Sequence, residues 1–201
     1  MFGTRARRAL GIATLGLIPL AAPVVLAGSA SAHGYTQNPP SRSLHCHQGA
    51  VSDCGSIQWE PQSVEGPKGF PEAGPADGTL CAGGNARFAQ LDDPSKPWPQ
   101  QPMTSGQDFE FRWELTAAHA TTSFRYFVTK DGWNPGAPLS RAQLEPAPFL
   151  TVDFGGRRPP FTVTHTGRLP SGKSGHHMIF AVWDIADTAN AFYSCADVNF
   201  R

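Results

Sequence analysis

An antiparallel β-sandwich is the fold class this sequence predicts, an all-β chain with a long loop region and short helices between its first strands. Three observations predict it. Glycine and proline number 21 and 19, about a fifth of the 201 residues, against roughly 12% in ordinary chains. Charged residues supply only 16%. From residue 106 onward, short apolar stretches alternate with turn signals. Long helices need breaker-free stretches and denser charge, so bundles and coiled coils are excluded. Short strands between closely spaced turns are the pattern of a sandwich.

Residues 1–32 read as a secretory leader. Arg5, Arg7 and Arg8 form a positive start, Ala9 to Gly28 is uncharged, and Ala30-Ser31-Ala32 supplies the small residues of a cleavage site. About 20 uncharged residues are long enough to span a bilayer, but Pro19, Pro23 and many small residues disfavour a permanent anchor. Arg7-Arg8 leaves general secretory and twin-arginine export both open. Cleavage would leave residues 33–201 as a single domain, large enough for its own core. That domain is expected to be a secreted, extracellular monomer with no membrane attachment. Its 13 basic and 16 acidic residues give a net charge of −3, so it has no basic excess to bind nucleic acid.

The first part of this domain, residues 34–105, holds ten prolines from Pro39 to Pro102 among many glycines, so its regular elements must be short. A long ordered loop region is expected, packed through Trp59, Phe70, Phe88 and Trp98; loops of that length are commonly functional. Past Gly106 the texture turns to β. Phe109, Phe111, Trp113 and Leu115 alternate with Glu110, Arg112 and Glu114, the period of a half-buried strand. Further strands are predicted around Phe124–Thr129, Phe149–Phe154, Phe161–Thr166, Met178–Trp183 and Ser194–Phe200.

Export makes the four cysteines readable as disulfides. Three pairings exist, but Cys46 and Cys54 lie close together in a polar loop and readily meet, which leaves Cys81 for Cys195. Loop entropy assigns these bridges about 3 and about 5 kcal/mol as upper figures. A zinc site is disfavoured because no C-x-x-C pair occurs.

Cleavage after Ala32 would make His33 the N-terminal residue, which then offers two nitrogens: a free α-amine and the imidazole Nδ1, able to chelate one ion. An α-amine with a pKa of about 7.8 is deprotonated at neutral pH for roughly 1 kcal/mol, whereas a lysine would cost roughly 4.6. Nitrogen donors without thiolate suit copper, which heads the divalent first-row affinity order. A third nitrogen would complete the set, and His119 stands where the alternating strand ends and a loop begins. His45, His47, His165, His176 and His177 show no convergent spacing. What raises His119 above them is a family resemblance.

His33-Gly34-Tyr35 with Pro39 and Ser41-Arg42, the run Trp59 to Gly66, Lys68 to Pro71 and Gly74 to Gly78 closely resemble the bacterial lytic polysaccharide monooxygenases of auxiliary activity family 10, long called chitin-binding proteins. The similarity continues through Thr121 to Tyr126 and Ala181 to Tyr193, nearly the whole of residues 33–201. The resemblance implies a fibronectin type III or immunoglobulin-like sandwich whose loop region builds a flat binding face. It implies a copper histidine brace at His33 and His119, with Phe192 beside the axial position and Ala117 as the small residue on the open side. Glu65 would be the carboxylate that positions or protonates the oxygen co-substrate. Trp59, Glu60 and Pro61 match the exposed patch that holds the polymer, Trp59 standing where many relatives have tyrosine, and Thr116, Asp187 and Asn190 match further members of that face. Some relatives place a basic residue where this chain has Ala118, a departure with consequences for polymer affinity.

By that resemblance the chain is a copper-dependent enzyme that cleaves crystalline chitin oxidatively at C1 to give aldonic acids. It would cycle one copper ion between Cu(II) and Cu(I), with a small-molecule or protein reductant as electron donor and hydrogen peroxide or dioxygen as co-substrate. Hydrolysis would need a carboxylate pair, and only Glu65 stands out. Two rivals from other classes are a non-catalytic chitin-binding protein, which needs no brace, and an extracellular copper carrier, which needs no polysaccharide platform.

Overall fold

The computed structural model describes residues 1–3 and 32–201, so the predicted leader lies almost wholly outside the described residues. The alternating stretch forms strand β4 (Asp108–Ala117), with Phe111, Trp113 and Leu115 buried and Glu110 and Arg112 outward. β4 is the centre of a three-stranded sheet, flanked by β1 (His33–Asn38) and β7 (Thr162–Arg168). The opposing sheet runs β2 (Glu65–Pro67), β9 (Asn190–Phe200), β8 (Gly175–Ile185), β5 (Thr121–Val128) and β6 (Leu150–Asp153). β3 (Gln101–Met103) pairs in parallel with the end of β9, a departure from the wholly antiparallel expectation.

The loop region holds short elements, as expected. Besides loop it contains β1, β2, β3 and the helix α1 (Arg42–His47), which carries Cys46 where a polar loop was expected. Ser41 caps α1 by accepting from the Leu44 N–H at 3.2 Å, a signal of helix start. Composition hid these elements because each is only a few residues long between prolines.

β8 and β9 explain why that region is ordered. Nearly every residue of both is buried, on both faces. Trp183, Phe192 and Phe200 point between the sheets and meet Trp113, Phe124 and Tyr126. Phe180, Val182 and Tyr193 point the other way, into a second core formed with Ile57, Phe70, Leu80 and Phe88 of the loop region. The loops thus form a third layer. Disulfides Cys46–Cys54 and Cys81–Cys195 lie in this layer, and the second ties the loops to β9.

Three arginines, one of them buried, clamp the same layer. Arg42 donates to Asp197 at 2.6 Å and to the Leu91 carbonyl at 2.8 Å. Arg125 donates to Asp184 at 2.8 Å and to the Phe70 carbonyl at 2.6 Å. Arg141 holds the Pro71 and Pro75 carbonyls, each at 2.7 Å, and Asp77 at 2.8 Å. Several residues that carry the family resemblance therefore serve the scaffold, because a loop without ladder partners must satisfy its carbonyls through long side chains.

Candidate metal centre and binding face

His33 opens β1 opposite Ala117 of β4, two residues before His119. A register shift separates His33 from Gly34, and Gly34 donates to the Gln62 carbonyl at 3.0 Å. Gly34 is required by space rather than by backbone angle. A Cβ there would lie 2.6 Å from Leu115 Cδ2 and 3.1 Å from Trp183 Cζ3. The His33 ring lies 6.3 Å from the ring of Phe192, which in turn packs 5.1 Å from Trp183. Phe192 is fully buried, so it presents only part of its ring toward His33 from the core.

His119 follows β4 in the short connection to β5, pinned by the Thr121 hydroxyl, which donates to the His119 carbonyl at 2.9 Å. Its Nδ1 faces the Asp187 carboxylate at 3.3 Å. That leaves Nε2 as the remaining ring nitrogen, and a carboxylate behind an imidazole is the arrangement that orients metal-binding histidines.

Glu65 accepts from Asn190 Nδ2 at 2.7 Å and stands opposite Phe192 in the β2–β9 ladder. The predicted residues His33, Phe192, Ala117, His119, Asp187, Asn190 and Glu65 thus gather where β1, β4, β8 and β9 end together. Among the described residues no three His, Cys, Asp or Glu side chains cluster as a metal site, and all four cysteines are in disulfides. The available donors are two imidazoles and the main-chain nitrogen of His33. In this chain that nitrogen belongs to the peptide bond with Ala32; cleavage there would turn it into an amine. Three nitrogens without thiolate fit copper.

Trp59 ends a 3₁₀ turn (Gly55–Trp59) and is 80% exposed, against the ordinary tendency of tryptophan to be buried. It lies three residues before Gln62, the contact of Gly34. Thr116 is also exposed. One expectation for this patch is corrected. Pro61 is buried rather than exposed, whereas Glu60 stays partly exposed in an ion pair with Arg87. Ala118 is 2% exposed and packs into the inter-sheet core, so a longer basic side chain would have no room in this arrangement.

Sequence reasoning did not single out Arg158, which lines a recess of about 380 Å³ with Ala118, His119, Ala120, Gly156 and Asp187. Its one signal is the run Arg157-Arg158-Pro159-Pro160 after two glycines. Of the other histidines, His165 is buried against Tyr126, His176 pairs with Asp197, His177 meets Thr129 and His47 meets the Gln58 carbonyl. Burial holds His45 below the ordinary imidazole pKa, with Asp197 opposing.

The family model described as "Lytic polysaccharide mono-oxygenase, cellulose-degrading" matches residues 33–198. The chain is similar to GlcNAc-binding protein A of Shewanella oneidensis, 45% identical over 192 residues that cover 95% of this chain and 40% of that protein. It is also similar to a solved AA10 lytic polysaccharide monooxygenase from Streptomyces lividans, with 57% identity and a TM-score of 0.82 over 84% of this chain and 100% of that one. A solved CBM33 protein of Bacillus amyloliquefaciens in complex with Cu(I) is 40% identical at a TM-score of 0.77, over the same shares. The chain spans between 36% and 52% of the length of the curated relatives it matches. With the family model matched across almost all of the described domain, the chain belongs to the lytic polysaccharide monooxygenases of family AA10.

Proposed function

We propose that this protein, once cleaved after Ala32 and secreted, is a copper-dependent monooxygenase that breaks glycosidic bonds in crystalline chitin with oxidation at C1. The observation that carries the reading is the placement of His33 against Phe192 and opposite Ala117, two residues from His119, on an open face flanked by exposed Trp59. Bound copper would supply one-electron chemistry, fed by an external reductant, that activates hydrogen peroxide or dioxygen.

The chain's own residues account for the rest. His33 and His119 would hold the ion, the second oriented by Asp187. Buried Phe192 has no atom able to bind a metal strongly and keeps the side it covers dry. Glu65, fixed by Asn190, can hold or release a proton at Oε1 or Oε2 beside the ion. Trp59 can stack on the flat C–H face of a sugar ring, while Thr116 offers a hydroxyl to the polymer. An open face suits a crystal surface, which cannot thread into a cleft.

The name of the Shewanella oneidensis relative points to N-acetylglucosamine, the unit of chitin. The family description points to cellulose, the second reading. The test is mass spectrometry of soluble products from β-chitin and from cellulose, using copper-loaded protein verified to begin at His33, with and without ascorbate, beside His119→Ala. Reductant-dependent aldonic acids from chitin, absent in the variant, are expected. Oxidised products from cellulose alone would move the assignment, and none from either polymer would overturn it in favour of adhesion or copper carriage.

A further inference from the structure

Within residues 32–201 two large hydrophobic side chains stand out as exposed: Trp59, and Phe161 at 60%. Phe161 ends a loop that begins after β6, and this loop is fastened to both strands flanking His119. The Phe154 N–H donates to the Thr122 carbonyl at 2.9 Å and the Gly156 N–H to the Thr121 carbonyl at 2.8 Å. The Thr121 N–H donates to the Arg157 carbonyl at 3.0 Å, and the Leu115 N–H to the Phe161 carbonyl at 2.6 Å. Pro159 and Pro160 stiffen the span between these anchors. Phe161 is therefore presented by a fixed backbone, on the edge of β4 opposite to β1.

This placement gives the face an order. The chain just past the Trp59 turn meets β1 where Gln62 accepts from Gly34, β1 carries His33, β4 carries Ala117 and leads to His119, and the Phe161 loop closes the far edge. Neighbouring strands lie about 4.8 Å apart, so β1 and the Phe161 backbone are separated by about 10 Å across β4. Arg158, in the same loop, is exposed in the recess that His119 and Asp187 also line. Its guanidinium offers up to five N–H donors to hydroxyl or acyl oxygens.

We propose that Phe161 and Arg158 form a second arm of the polysaccharide-binding face, across His119 from Trp59. Phe161 stacks on a sugar ring and Arg158 donates to the oxygens of its neighbour. A polymer engaging both arms lies over the histidine pair, with binding contacts on both sides of the bond to be cut. The inference rests on the function proposed above and extends its binding surface.

The test is binding of the processed, copper-loaded protein to β-chitin, comparing the parent with Phe161→Ala, Phe161→Leu, Phe161→Tyr, Arg158→Gln and Trp59→Ala. Copper retention and thermal midpoint are measured alongside. Loss of one stacked ring should weaken binding about fivefold. Phe161→Ala and Phe161→Leu should both show that loss, since leucine keeps the bulk without the flat ring, while Phe161→Tyr keeps parental affinity. Arg158→Gln should weaken binding about twofold, and copper retention should match the parent throughout. Parental binding by Phe161→Ala beside weakened binding by Trp59→Ala would overturn the second arm and leave the proposed function standing. Parental binding by both would overturn the polysaccharide face itself.

Discussion

Asn190 Nδ2 donates a 2.7 Å hydrogen bond to Glu65 Oε1, joining the first residue of β9 to the first residue of β2. The pair spans the same two strands in which Glu65 stands opposite Phe192. The carboxylate is therefore held by a partner that lies outside the proposed metal-binding set.

Asn190→Ala should free Glu65 without touching either histidine. We expect copper retention equal to the parent and reductant-driven release of oxidised sugars reduced about tenfold, the usual lower bound for losing an outer-shell partner. Glu65→Gln should fall further, because the group then cannot exchange a proton. Equal turnover in Asn190→Ala and parent, measured at saturating polymer, would remove Asn190 from the mechanism.

Gly34 leaves no room for a Cβ between β1 and the core. With a Cβ 2.6 Å from Leu115 Cδ2 and 3.1 Å from the Glu114 carbonyl, a methyl group at this position must displace Leu115 or β1, and His33 is the adjacent residue. Gly34→Ala should cost about 1–3 kcal/mol in unfolding free energy, as overpacking does. It should also weaken copper binding by displacing one donor from the other. Titration calorimetry and urea unfolding read the two effects separately, and parental copper affinity would show that His33 does not depend on this contact.

Much of the fold was legible in the sequence because β4 alternates strictly from Phe109 to Leu115, and the other strands after Gly106 stand as short apolar stretches between turn signals. The double burial of β8 and β9 shows as runs without alternation, such as Met178 to Trp183. The Cys81–Cys195 bridge followed from the ease of closing the short Cys46–Cys54 loop. The elements within residues 34–105 were not legible, since β1, β2 and α1 are each set by tertiary partners rather than by a local pattern. The exposure of Trp59 was invisible to composition and came from the family resemblance, while the burial of Pro61 contradicted it. Arg158 carries no periodic signal, and Phe161 reads only as the first residue of a strand. They are noticed only once backbone bonds to Thr121 and Leu115 bring their loop beside His119.

Arg42 and Asp197 form a buried ion pair at 2.6 Å, with Trp98 stacked 4.7 Å from the guanidinium. Burial alone would raise the Asp197 pKa, but His176 and Arg42 more than offset it and hold it below the ordinary carboxylate value. Arg42→Leu leaves a buried carboxylate short of its main partner and should cost about 3–5 kcal/mol. Adding Asp197→Leu should recover a large part of that loss, because the stranded charge is gone. A double variant no more stable than Arg42→Leu would mean that the packing of the Arg42 stem against Trp98 matters more than the charges.

His165 lies at the end of a hydrogen-bond chain inside the sandwich. Trp113 Nε1 donates to the Tyr126 hydroxyl at 3.1 Å, and that hydroxyl meets His165 Nδ1 at 2.8 Å. A neutral His165 ring with an unprotonated Nδ1 can accept the Tyr126 proton, whereas a charged ring would present an N–H there instead. Burial pushes the His165 pKa down to about 4 from its ordinary 6.5. A depressed histidine contributes stability that is complete above the unfolded value near 6.5 and is lost as pH falls toward 4. His45 and His177, also held low by burial, act in the same direction. Asp92 acts against them: burial raises its pKa to about 6, so its protonation favours the native state as pH falls from 6 to 4. The contribution of His165 is isolated by comparing parent and His165→Gln in urea unfolding at pH 7 and pH 4.5. The parent should lose about 2 kcal/mol more than the variant over that interval. Equal losses would mean that the buried ring takes up its proton without breaking the chain to Tyr126.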